Sequence, residues 1–156
     1  KYLLKNLYNP TKSVLDACKI MVQVRMDNAQ EAMNSAHEST LNEEKSSAGD
    51  KFETGRAMGH LNRDMFAKQW EQANKDMEIL NGIQAFKRHS EVELGTLIYT
   101  KDKIFFIALG LGKIMVEGHE VWVISEQSPL ALAMLNKTLK DSFEFNAIKY
   151  KINNLE

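Results

Sequence analysis

The chain has 156 residues, 20 basic and 21 acidic side chains, and a net charge of −1 at pH 7. That is room for one or two small domains, and it lacks the basic excess of a general nucleic-acid binder. A single cysteine, Cys18, excludes a disulfide scaffold and fits a reducing, intracellular compartment.

No apolar run approaches the length of a membrane span. The apolar triplet at Tyr2–Leu4 is too short for a signal peptide. The sequence begins with Lys1 rather than Met, which fits a natural start further upstream.

Residues 1–13 read as a leading segment, with Pro10 disfavouring helix at Asn9 and Thr11 or Ser13 available as a cap. A first helical arm is expected from about Val14 to Thr40. Its apolar or small residues recur at Leu15, Cys18, Val22, Met26, Ala29, Met33 and Ala36, in steps of three and four. A second arm, from about Lys51 to Leu80, carries Leu61, Met65, Trp70, Ala73, Met77 and Leu80. Paired in reverse, Ala36 meets Leu61, Met33 meets Met65, Ala29 meets Trp70, Met26 meets Ala73, Val22 meets Met77 and Cys18 meets Leu80. The midpoints fall at about 48 to 50. The spacing therefore predicts an antiparallel hairpin over 14–82 that reverses around Gly49 and Asp50. Each arm of about 30 residues would be on the order of 45 Å long.

The tip, near 47–54, carries Gly49-Asp50-x-x-Glu53. Its plainest reading is a capping box, with Asp50 as N-cap and Glu53 reaching back. Phe52, between the two carboxylates, has no evident core to join and reads as a contact residue. Arg56, Arg63, Lys45 and Lys51 are candidates to meet phosphate, although exposed basic residues on a helix are usually solubilising. His37 and His60 lie symmetrically about the tip, but a zinc site would need further ligands.

Asn81-Gly82 supplies a stop, and 83–90 reads as a linker. From 91 to 156 the pattern turns to strands at VELGTLIYT, KIFFIALG, KIMVEG and HEVWVIS. Ser128 and Pro129 then cap and open a short helix, and DSFEFN and IKYKINN close the chain as strands. The fold class is α+β: a long antiparallel helical hairpin followed by a small antiparallel sheet with one short helix.

Two of these segments resemble the bacterial Gre-type transcript cleavage factors. One is the long hairpin with Gly49-Asp50-x-x-Glu53 at its tip; the other is Ser128, Pro129, Ala133, Lys137 and Asp141 in the C-terminal segment. The resemblance covers nearly the whole chain from about Val14. It implies an FKBP-like C-terminal domain without isomerase activity, docked on RNA polymerase at the rim of its secondary channel. The tip carboxylates Asp50 and Glu53 would reach the polymerase's catalytic Mg²⁺ near the nascent RNA 3′ end. The chain would then be a monomeric cytoplasmic accessory factor that promotes the polymerase's own transcript cleavage in backtracked complexes, not an enzyme itself. Ser128, Pro129 and Lys137 are candidate binding residues by the same resemblance, and Phe52 and Arg56 by their place at the tip.

The sequence departs from the family at Thr54, where the family has Asn, and at Arg56 and Ala57, where it has a nearby tyrosine. It also departs at Asn136 and Lys140, where the family has glycine. Two alternatives follow: a polymerase-binding regulator without cleavage activity, or a coiled-coil interaction module unrelated to transcription.

Overall fold

The structure is a computed structural model. Residues 1–7 and 45–48 lie outside the described residues, as do the side chains at 39, 40, 43, 44 and 49–53. Two long helices come first, α1 (Pro10–Glu44) and α2 (Gly49–Gly82). Strands β1 (Leu97–Tyr99), β2 (Ile104–Ala108), β3 (Gly112–Val116) and β4 (His119–Ser125) follow. Helix α3 (Pro129–Met134) then leads to β5 (Ser142–Phe145), β6 (Ile148–Lys151) and β7 (Asn154–Leu155). The expected class, a helical hairpin followed by a small α+β sheet domain, is what the chain adopts.

Helix α1 begins four residues earlier than its apolar periodicity suggests. Asn9 is the cap: its Oδ1 accepts the Lys12 N–H at 3.0 Å and its carbonyl accepts the Ser13 N–H at 3.1 Å. Pro10 then stands at the first helical position, where its fixed φ is an asset and its missing N–H costs nothing. Thr11, expected as a cap, is instead 2% exposed inside the fold.

The chain forms two compact units, Ile20–Glu78 and Lys1–Lys19 with Ile79–Glu156. Within the first, the two arms line a common groove of about 510 Å³. Ala29, Ala32 and Arg25 of α1 meet Phe66, Ala73 and Asp76 of α2 there. Gly49 and Asp50, where the heptads place the reversal, already belong to α2, and 45–48 lie outside the described residues; the seam on the second arm also differs from the expected one. Leu61 and Met65 are 63% and 47% exposed, while Gly59 is buried and Phe66 half-buried. Counting back from Leu80, Met77, Ala73 and Trp70 by threes and fours lands on Phe66 and then Gly59. Reaching Met65 instead needs a step of five, which carries it off the inner face. Gly59, without a side chain, leaves room for close approach there.

The second unit holds a five-stranded sheet in the order β3-β4-β2-β1-β7 and a separate β5-β6 ribbon. All neighbouring pairs are antiparallel except β2 and β4, which are parallel with Phe105 opposite Trp122. The chain reverses twice, into β3 and back, so β4 returns in the direction of β2 and slots in beside it. One sheet face carries Ile98, Phe105 and Ile107, and α3 adds Ala131 and Met134 to that core. Phe143 and Tyr150 of the ribbon complete it, both edge-on to Phe105 and stacked on each other at 5.1 Å. The opposite face buries Leu97, Phe106, Val121 and Val123. Val14, Leu15 and Cys18 at the start of α1, and Leu80 at the end of α2, are buried in the same unit. Gly95, at φ +88°, lets the chain pass Ile83; a Cβ there would come within 2.9 Å of Ile83 Cγ2.

Candidate functional site

Helix α2 starts at Gly49, so Asp50 and Glu53 are backbone members of its first turn. Asp50 is thus the second helical residue, two places past the N-cap position a capping box would give it. At a spacing of three the two positions share one side of the helix. The exposed N–H groups and the macrodipole of a helix start favour negative charge there. The side chains of Asp50, Glu53 and Phe52, the core of the sequence-derived site, lie outside the described residues. Beyond them Arg56 is exposed and engaged in an interaction of its own. His37 and His60 are both exposed. Among the described residues no group of three or more His, Cys, Asp or Glu side chains is arranged to hold a metal.

The second motif is fully described. Ser128 adopts an extended backbone (φ −67°, ψ 149°), and its Oγ accepts the Ala131 N–H at 3.2 Å with Pro129 next in line. The hydroxyl of this candidate binding residue is therefore occupied in capping α3, while the Pro129 ring is exposed. At the other end Asn136 turns left-handed, at φ 64°. That turn lets Asn136 N–H reach Val92 O at 2.9 Å, and Lys137 O accept Val92 N–H at 2.8 Å. Lys137, half-buried, is thus tied to the strand side of the domain through its backbone. The next turn closes on Asp141, whose Oδ2 accepts both the Thr138 N–H at 2.8 Å and the Thr138 hydroxyl at 3.0 Å. Those Thr138 bonds, backbone first, hold the Asp141 carboxyl below the usual carboxylate range. Lys140 between them is also left-handed, at φ 73°. Asn136 and Lys140 thus both hold a conformation that glycine favours.

Two features were not singled out from the sequence. His89, whose side chain is 2% exposed, meets Glu93 Oε1 through Nδ1 at 2.8 Å, and Lys87 Nζ reaches the same oxygen at 2.6 Å. Lys87 and then His89 hold Glu93 below its ordinary range. The spacing of four between His89 and Glu93 was visible, but it falls outside a helix, where it carries no geometric meaning. Trp122 is flanked by Lys103 and Lys113, with Nζ atoms 5.0 and 5.9 Å from its ring centroid. Among the described residues, His89 Nε2 and Trp122 Nε1 are buried without a hydrogen-bond partner.

No helix among the described residues is long and apolar enough to cross a membrane. No family model matches the chain, and no curated protein matches it. A solved structure titled "Structure of the transcription factor Gfh1" is similar over 87% of this chain and 90% of its own, at 14% identity and a TM-score of 0.36.

Proposed function

We propose that this chain is a transcription factor that binds RNA polymerase at its secondary channel and carries its hairpin tip toward the catalytic centre. The observation that carries the reading is the position of the Gly-Asp-x-x-Glu motif. It falls in the first turn of the second of two consecutive long helices, of 35 and 34 residues, with Asp50 and Glu53 both in that turn. The Ser128–Asp141 segment supports it, because its cap and its two left-handed turns are in place. Mg²⁺ takes six oxygens and usually only one or two protein carboxylates, the rest being water and phosphate. Asp50 and Glu53 suit a shared site of that kind, completed by the polymerase and the RNA, and not a site of their own. A second ion held there would activate water for in-line attack on the transcript.

The activity is tested with stalled, backtracked elongation complexes. The chain should shorten the transcript from its 3′ end, and Asp50→Asn should abolish this while still competing with the wild type for polymerase. Asn has nearly the shape of Asp without its charge, so the fold is kept while the charge is lost. Full activity in Asp50→Asn would reduce Asp50 to a structural residue. Thr54, Arg56 and Ala57 favour a second reading, a channel-binding regulator without cleavage. Binding and competition without any shortening by the wild type would select it.

A further inference from the structure

A pocket of about 220 Å³ lies between the start of α1 and the sheet. Its inner wall is apolar: Val14, Leu97 and Val121 are buried at 1–3% exposure, and Ile104 lies beside them. Its rim is polar and acidic. Glu117 stands in the two-residue β3–β4 turn at φ 50°, followed by Gly118 at φ 80°. This left-handed pair is the kind that matches strand twist in a tight hairpin. The turn brings the Glu117 carboxylate back over α1, where Oε1 accepts the Ser13 hydroxyl at 3.2 Å; Tyr8 also lines the pocket. Tyr99 lines the pocket too, with its hydroxyl directed to Glu156 Oε2 at 3.1 Å. His119 also lines it; among the described residues no lysine or arginine does.

The walls and the rim together define a ligand. A cavity of roughly 150 Å³ lined by aliphatic side chains is enough to hold benzene. This one has space for a six-membered ring and a short chain, and is below the range typical of drug-sized ligands. A carboxylate has about four acceptor sites. One hydroxyl donor, from Ser13, leaves capacity for a charged N–H donor. We propose that this pocket binds a small arylalkylammonium, its ring against Leu97, Ile104 and Val121 and its ammonium on Glu117. Neither the hairpin tip nor the Ser128–Asp141 segment takes part, so the site is separate from the proposed polymerase function.

The test uses the full chain labelled with ¹⁵N and two probes alike in ring and chain but opposite in charge. 2-Phenylethylammonium should shift the amides of Leu97 and of residues 116–121 saturably. 3-Phenylpropionate should bind about tenfold more weakly or worse, as expected when a charge-assisted hydrogen bond is replaced by repulsion. Glu117→Gln keeps the turn and removes the charge, and should bring the two probes to within about threefold of each other. Val116→Phe, filling the pocket from its half-buried rim, should weaken both. Equal affinity of wild type for the two probes would overturn the proposal. So would shifts confined to residues elsewhere, or an unchanged preference in Glu117→Gln.

Discussion

Lys140 and Ala147 occupy left-handed backbone at φ 73° and 61°, a region that costs a residue with a Cβ about 1–2 kcal/mol. Lys140→Gly is therefore expected to raise stability by about 1 kcal/mol, and Ala147→Gly to do the same in the β5–β6 turn. Asn136→Gly should change little, because asparagine tolerates φ > 0. Urea unfolding of the three variants measures this; a destabilised Lys140→Gly would contradict the assigned turn. Cys18 is fully buried at the base of α1, and burial pushes its thiol up to about 12. The native protein should resist thiol reagents at pH 8 and react once unfolded. The sign of the pH dependence follows. The folded state keeps the proton that the unfolded thiol releases above its ordinary value of 9.0. This contribution to stability is full below pH 9.0 and is lost as pH rises towards 12. Asp141 runs the other way: its depressed carboxyl stabilises above the ordinary range, and that contribution goes as pH falls through its folded value.

At the scale of elements, the seam of the hairpin makes the sharpest demand. Phe66→Ala is expected to cost roughly 1–3 kcal/mol, because it strips a half-buried ring from the inner face. Leu61→Ala and Met65→Ala, on exposed positions, should each stay within about 0.5 kcal/mol. Thermal melts followed by helical circular dichroism distinguish these; the reverse order would restore the register built on Leu61 and Met65. The two-arm pattern was legible because many three- and four-residue steps support it together. The second-arm register was not, because Leu61 and Met65 outrank a glycine in hydrophobicity but fall out of phase. The start of α3 was legible from Ser128-Pro129, yet the same cap-then-proline pattern at Asn9-Pro10 was read as a boundary. The parallel β2/β4 pair and the separate β5-β6 ribbon were hidden for a different reason. Strand patterns fix which face is inward, but not which strand is a neighbour. The Glu117 pocket depends on residues more than a hundred positions apart and leaves no local signal.

Across the whole molecule, each compact unit holds one of the two tryptophans, Trp70 in Ile20–Glu78 and Trp122 in the sheet unit. Single Trp→Phe variants therefore let each unit report its own unfolding by fluorescence. Phe66→Ala should lower the Trp70 transition more than the Trp122 transition; equal shifts would show that the two units unfold as one. The functional account is also a claim about the whole chain: a tip delivered to a catalytic centre by a hairpin carried on a sheet domain. The measurement that bears on it most directly puts Fe²⁺ in place of Mg²⁺ at the polymerase active site, so that hydroxyl radicals are released only there, and maps where the bound chain is cut. The account predicts cuts confined to a few residues around Gly49–Arg56, whether or not transcript cleavage occurs. Cuts in the sheet domain, or an uncut tip on a chain that still binds polymerase, would contradict it.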